Sequence, residues 1–293
     1  MSGTTPTNDP DVLSRWIGRT ETTVDTVSAA WCRKMEETLD REASLVDGDP
    51  LPPLWHFLTH LESAPLSRLG RDGHPARGGF LPPVALPRRM WAGGRFEFRG
   101  DVRLGETVEK TSTIAAVETK RGRSGPLCFV TVRHELAVDG EVRIVEERDL
   151  VYREDPVPGA PVPEPRAAPT DTDFSRTVTP SEVMLFRYSA LTFNGHRIHY
   201  DREYASGVEG YPGLVVHGPL VATLLADLAV RETGRRLVAF SFRGVAPLFD
   251  GEAFSIAGTR EGNAVELWAA TPGGGLAMTA EAELAKDVRF DGA

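Results

Sequence analysis

The chain has 293 residues, 41% of them hydrophobic, with a formal net charge of −9 and an isoelectric point near 5.4. That length buries one large core or two modest ones, and the acidic balance argues against a nucleic-acid surface. No apolar run reaches membrane-spanning length, the polar first ten residues lack the pattern of a signal peptide, and Cys32 and Cys128 give no disulfide framework, so a cytoplasmic protein is expected.

From the N-terminus, the segments Val24 to Leu39 and Leu54 to Leu61 read as amphipathic packing helices. Trp55-His56 and Pro87-Arg-Arg-Met-Trp-Ala-Gly-Gly94 are the conspicuous features of this half. Arg88 and Arg89 offer guanidinium forks that suit phosphate geometry, with a solvated surface turn as the plain alternative. Runs rich in β-branched residues follow at Val108–Ile114, Leu127–Leu136 and Arg143–Tyr152. Their apolar and polar alternation predicts antiparallel strands with one covered face. Pro156 to Pro165 is proline-rich and reads as an extended linker.

Beyond the linker, Asn194-Gly195 is a turn signal, and Asp201 is placed to cap a short helix beginning Arg202-Glu-Tyr-Ala. The residues Ser189-Ala-Leu-Thr192 suggest no element. From Pro219, the positions Leu220, Val221, Leu224, Leu225, Leu228 and Ala229 recur at helical spacing and predict a buried helix. Pro219 suits its first turn, where a missing N–H costs nothing. Three further strands are expected at Ala253–Gly258, Ala264–Ala270 and Ala277–Leu284.

A faint internal repeat ties the halves together. Phe96-x-Phe98-Arg-Gly and Phe240-x-Phe242-Arg-Gly are each followed by a leucine, Leu104 or Leu248, and by Gly-Glu. Two copies of one fold are therefore expected, in units of roughly 120–150 residues, a usual domain size. The boundaries drawn are an N-terminal unit over 1–152, the linker over 153–171 and a C-terminal unit over 172–293. Only the second unit holds the Asn194 to His199 turn, so the first is expected to be non-catalytic.

His196, His199 and His217 are three of seven histidines and fall within 22 residues of one another. A histidine fixed in a turn can act as a general base near neutral pH. The N–H groups around Gly218 open the helix, lack intrahelical partners and carry the positive end of its dipole. They would stabilise a carbonyl oxygen gaining charge. Against this stand a simple strand-to-helix turn at His-Gly-Pro and a metal site, although neither a helical His-x-x-x-His pair nor a cysteine cluster supports zinc.

Tyr188-Ser-Ala-Leu-Thr-Phe-Asn-Gly-His-Arg-Ile-His-Tyr-Asp201, with Val216-His-Gly-Pro-Leu220, resembles the motif of the MaoC-like hydratase and dehydratase superfamily. Its general form departs here, with Phe193 for Gly, Asn194 for Asp, His196 for Asn and Arg197 for Pro. The altered form is similar to the branch of type 2 hydroxyacyl-thioester dehydratases and of mesaconyl-C4-CoA and itaconyl-CoA hydratases. The resemblance implies an α+β double hot-dog, two antiparallel sheets each wrapped on a central helix. It implies that His199 is the base, that Asn194 stands where an acid is usual, and that Gly218 lines the oxyanion hole. An amide cannot accept the proton as a carboxylate would, so Asn194 would only position water.

Tyr188, His196, Arg197, His217, Arg88 and Arg89 are the expected substrate-binding residues. Arg197 would pair with a substrate carboxylate, or else tie down its turn through Asp201. The partner implied is an acyl-CoA, with coenzyme A arriving as part of the substrate, no separate cofactor or metal, no membrane, and a homodimer as the candidate assembly. The reaction implied is addition or removal of water across an enoyl-CoA double bond, with a C5 dicarboxylic substrate leading to citramalyl-CoA. The alternatives are a dehydratase of longer acyl chains and a hot-dog thioesterase or acyl-CoA binding module.

Overall fold

The computed structural model describes residues 5–122, 125–155 and 165–289. The linker expected at Pro156 to Pro165 lies almost wholly outside the described residues. The helices are α1 (Pro10–Leu13), α2 (Ala29–Thr38), α3 (Glu182–Leu191), α4 (Arg202–Gly207) and α5 (Gly218–Thr233). The strands are β1 (Thr20–Thr26), β2 (Arg88–Phe98), β3 (Thr107–Gly122), β4 (Gly125–Val138), β5 (Glu141–Arg153), β6 (Phe174–Val178), β7 (Arg235–Gly244), β8 (Phe254–Glu261), β9 (Ala264–Ala270) and β10 (Leu276–Arg289).

The strands form one ten-stranded sheet in the order β1-β3-β4-β5-β2-β7-β10-β9-β8-β6, antiparallel at every neighbouring pair. The two halves meet at β2 and β7, and the repeat explains how. Phe96 pairs with Phe240, its own counterpart, while Gly94 pairs with Phe242 and Glu97 with Ala239. Two copies of one strand thus face each other about a pseudo-twofold axis between the two phenylalanines. Their rings approach to 6.2 Å between centroids. The double hot-dog holds, but its sheets are joined edge to edge into one, which leaves neither half with an open edge at the seam.

The expected helix from Pro219 is α5, whose Leu220, Leu224, Leu225 and Leu228 are buried against the C-terminal sheet. Each such side chain contributes roughly 1.5–3 kcal/mol on burial. Gly234 ends the helix in the left-handed conformation that favours glycine. Among the described residues the first half has no helix of that length. The segment Val24 to Leu39 is not one helix, because the β-branched run Thr20–Thr26 pairs with β3 and helix begins only after Ser28, which caps it through Trp31 N–H. Leu54 to Leu61 contains only a 3₁₀ turn, Trp55–Leu58, entered through a left-handed Leu54. Residues 189–192 belong to α3 and its cap. The element starts after Ser181, which accepts from Met184 N–H, and presents Val183 and Phe186 to solvent, so its periodicity is weak.

Apolar side chains gather chiefly in two clusters. The larger joins α2, α3 and α5 to the sheet. The smaller centres on Val130, Val132 and Tyr152 under Leu13, Val84 and Leu86. Trp91 packs against both. Among the described residues no helix is long and apolar enough to cross a membrane.

Candidate active site

The turn after α3 and the start of α5 are brought together by a main-chain contact, Val215 N–H to the Ile198 carbonyl at 2.9 Å. This places the imidazoles of His199 and His217 face to face, 3.7 Å between centroids and 18° apart. His199 Nδ1 lies 2.7 Å from the Val215 carbonyl oxygen. A carbonyl only accepts, so Nδ1 carries the proton and Nε2 keeps its lone pair. Burial pushes the His199 pKa down to about 4, the Val215 bond opposing and nearby His74 adding to the fall. His199 is therefore a neutral base at physiological pH, and 7% of its surface is open.

His217 has no open surface, and its Nε2 meets Ser189 Oγ at 2.8 Å. Burial and the neighbouring His199 and His196 hold its pKa well below the usual value. Tyr188 is buried in turn against His217, at 4.8 Å between rings. Tyr188 and His217, both expected to touch substrate, are buried in this structure. Both form the wall behind His199, since a helix entry flanked by α3 leaves them no opening. Gly218 is half-exposed at the first position of α5. The next residue is Pro219, which has no N–H, so the Gly218 N–H is the donor presented there.

Asn194 Oδ1 accepts from His196 N–H at 3.0 Å, an Asx turn, while its amide nitrogen makes no hydrogen bond among the described residues. We expect Asn194→Ala to lower turnover about 5- to 10-fold, the value of one lost hydrogen bond, and Asn194→Asp to retain most of it because either side chain accepts from His196. Steady-state rates of the two variants check this, and an unaffected alanine variant would reduce Asn194 to a turn residue.

Ion pairs engage two of the arginines expected to bind substrate. Arg88 is buried, with Nε 2.6 Å from Glu209 and Nη2 2.5 Å from the Tyr211 hydroxyl, so it is not available to coenzyme A phosphates. Arg197 bonds Asp201 through Nε at 2.9 Å and Nη2 at 2.7 Å, reaches the Arg71 carbonyl, and stacks on Tyr204 at 4.2 Å. It ties down its turn through Asp201, the second of the two roles the sequence left open for it. Asp201 caps α4 as expected, accepting from Tyr204 N–H. Arg89 stays half-buried beside His74 and Tyr152.

The first half contributes what the sequence reading missed. The loop carrying Asp72 and His74 lies on the Asn194 turn, with Arg197 N–H donating to the Asp72 carbonyl at 2.9 Å. Gly73 sits at φ +88°, and a Cβ there would stand 2.0 Å from the Gly195 carbonyl oxygen, so only glycine lets the two turns meet. His74 Nδ1 approaches Asp72 Oδ2 at 3.0 Å, and its ring lies 4.3 Å from that of His196, which in turn meets His199 edge-on at 5.3 Å. Burial and nearby His74 depress His196, and burial and Arg89 depress His74. Asp72, despite burial, is held below the ordinary carboxylate range by its bonds from His74.

Asp72, His74 and His196 also present ligand atoms within 4.8 Å of one another, a cluster that sequence spacing did not reveal. They lack the fourth ligand of a closed structural zinc site among the described residues, and Asp72 already engages His74 Nδ1. The arrangement is a carboxylate-oriented imidazole pair leading to His199.

The chain can now be set beside known proteins. It is 49% identical over 273 residues, 92% of this chain and 96% of the other, to the mesaconyl-C(4)-CoA hydratase of Chloroflexus aurantiacus. In fold it is similar to a MaoC-like dehydratase from Phytophthora capsici, with a TM-score of 0.69, 16% identity, and 95% and 98% of the two chains covered. It also matches a Mycobacterium tuberculosis protein described as having a double hotdog fold, with a TM-score of 0.57, 12% identity, and 92% and 96% covered. Residues 54–250, spanning both the Asp72 loop and the His199 turn, match the profile of hydroxyacyl-thioester dehydratase type 2. The chain belongs to that family of MaoC-like hydratases and dehydratases, and it is a hydro-lyase.

Proposed function

We propose that the enzyme adds water to the double bond of mesaconyl-C4-CoA, giving citramalyl-CoA. The observation that carries the reading is the tautomer-locked His199 beside the Gly218 helix entry, in a chain that shares nearly half its residues with a mesaconyl-C(4)-CoA hydratase over almost its full length. The thioester oxygen accepts from Gly218 N–H, where the dipole of α5 favours the charge that develops as the α-carbon becomes enolate-like. His199 Nε2 takes a proton from water, and the hydroxyl adds to the β-carbon. The resulting imidazolium returns its proton to the α-carbon, so one nitrogen serves both steps and hydrogen and hydroxyl arrive on the same face.

Asn194, through its unengaged amide, orients the water. The Asp72–His74 pair supplies by way of His196 the carboxylate that position 194 lacks. Acyl-CoA is the partner, and a homodimer remains the assembly proposed. The N-terminal unit (1–152) and the C-terminal unit (172–293) share one site in this reading. The test is loss of conjugated-thioester absorbance with mesaconyl-C4-CoA, crotonyl-CoA and a long-chain enoyl-CoA, and chromatographic detection of citramalyl-CoA from itaconyl-CoA, whose double bond is not conjugated to its thioester. A clear preference for the long chain would replace the C5 reading with the dehydratase one, and thioester cleavage without hydration would point to a thioesterase.

The pH dependence follows from His199. The base works only when neutral, so with its pKa near 4 the rate at low substrate should stay level from neutral pH down to about 5 and fall as pH drops through about 4. Stability moves in the same direction. Between the unfolded value of about 6.5 and the folded value of about 4 the unfolded chain binds the extra proton, so stability is lost as pH falls through that window. A pH–rate profile with its acid limb near 6.5 would contradict the buried, neutral base.

A further inference from the structure

One polar row in the first half is not used by the steps above. On the face of the sheet that bears the core, Ser112, His134, Glu146 and Phe96 are register partners across β3, β4, β5 and β2, and Arg148 stands two residues further along β5 on that face. Glu146 is 1% exposed. Its Oε1 accepts from Arg148 Nε at 2.9 Å and lies 2.8 Å from Nη2, while its Oε2 lies 3.2 Å from His56 Nε2. The guanidinium carbon stands over the Trp91 indole, 3.9 Å from the ring centroid. One edge and one face are therefore fixed.

The remaining edge is open. Arg148 Nη1 makes no hydrogen bond among the described residues, and 30% of the side chain is exposed. Its surroundings identify where it opens. Trp91 bridges the two apolar clusters, and its carbonyl oxygen stands 4.0 Å from where a Cβ on Gly218 would sit. The positive charge of Arg148 also reaches Tyr188, behind the paired imidazoles. Arg88 is buried against Glu209, and Arg197 commits Nε and Nη2 to Asp201 and Nη1 to the Arg71 carbonyl. A buried carboxylate that orients a half-free arginine is a costly arrangement for a residue of no use, whereas it pre-organises a fork for an incoming anion.

We propose that Arg148 is the specificity-determining residue that binds the free carboxylate of the substrate, with Glu146 and His56 as its positioning residues. The inference rests on the C5 dicarboxylic reading above. In mesaconyl-C4-CoA the free carboxylate is borne by the β-carbon, the atom that takes up the hydroxyl, so its partner must stand close to the site that holds the thioester. Arg148 meets that requirement through Trp91, over whose ring it lies and whose carbonyl approaches Gly218, leaving the Gly218 N–H for the thioester oxygen.

The experiment compares kcat/KM on mesaconyl-C4-CoA and on crotonyl-CoA, which lacks the carboxylate, for the unmodified enzyme, Arg148→Lys, Arg148→Met and the double variant Arg148→Met with Glu146→Gln. The double variant removes the charge pair together, so no unpaired buried carboxylate confuses loss of fold with loss of recognition. In both Met variants the mesaconyl-to-crotonyl ratio should fall about 10- to 100-fold, mainly through KM, the range for a hydrogen bond to a charged group. Arg148→Lys should recover part of the ratio, because it keeps the charge but loses the fork. A ratio unchanged in all variants overturns the role of Arg148 while leaving the dicarboxylic reading intact. An unmodified enzyme that does not distinguish the two substrates overturns both.

Discussion

Replacing His199 by alanine is expected to lower the turnover of hydration by about 10²–10⁴-fold with little change in substrate affinity, the usual cost of removing a general base. The geometry concentrates the whole effect on one atom. Nδ1 is committed to the Val215 carbonyl, so Nε2 is the nitrogen able to exchange protons. The stacked His217 cannot substitute, because Ser189 holds its Nε2 and it has no open surface. Single-turnover rates with an enoyl-CoA check the expectation, and His199→Ala retaining half its turnover would remove the residue from the chemistry. His217→Gln is a useful companion. It keeps a group able to bond Ser189 but loses the stacked ring, so it should be less damaging than the loss of His199.

Arg88→Met should destabilise the fold by about 3–5 kcal/mol, because it strands Glu209 as an uncompensated buried carboxylate. This separates the arginine observed here from one that binds phosphate. A phosphate ligand would raise KM for the CoA thioester and leave the thermal midpoint in place. A structural arginine lowers the midpoint and leaves KM of the folded fraction near its original value. Pairing Arg88→Met with Glu209→Gln should restore part of the loss by removing the orphaned charge. Thermal melts of the three proteins decide the matter, and a single variant as stable as the unmodified chain would contradict the pairing.

Much of the fold is written in local sequence. The expected strand Ala264–Ala270 coincides with β9, and the alternating runs near Val108, Leu127 and Arg143 lie within β3, β4 and β5. Such patterns are legible because alternation depends on a strand's own two faces, and a cap on a side chain three residues from its partner, as at Asp201 and Tyr204. The Phe-x-Phe-Arg-Gly repeat carried more, since a duplicated strand that pairs with itself fixes the seam at Phe96 and Phe240. Edge elements were harder. β1 is exposed along its whole length and shows no buried face to produce a pattern.

The sequence by itself determined which groups the second half brings together: a histidine in a turn, a helix entry at Gly218 and an amide in the turn before that histidine. Only the tertiary structure decided which charges are free to act. Arg88, Arg148 and Arg197 look alike in the sequence. One is buried against Glu209, one is held half-open by Glu146, and one is tied to Asp201. The Asp72–His74 pair reaches the second half's turn because Gly73 and Gly195 allow two backbones to touch. Periodicity and caps are properties of neighbours along the chain, whereas the role of a charge depends on its partner and on the water left around it. Glu209 reaches Arg88 from the other half of the molecule, and even where the partner is a near neighbour, as Glu146 and Asp201 are, which edge of the arginine stays open is set only when the whole sheet closes.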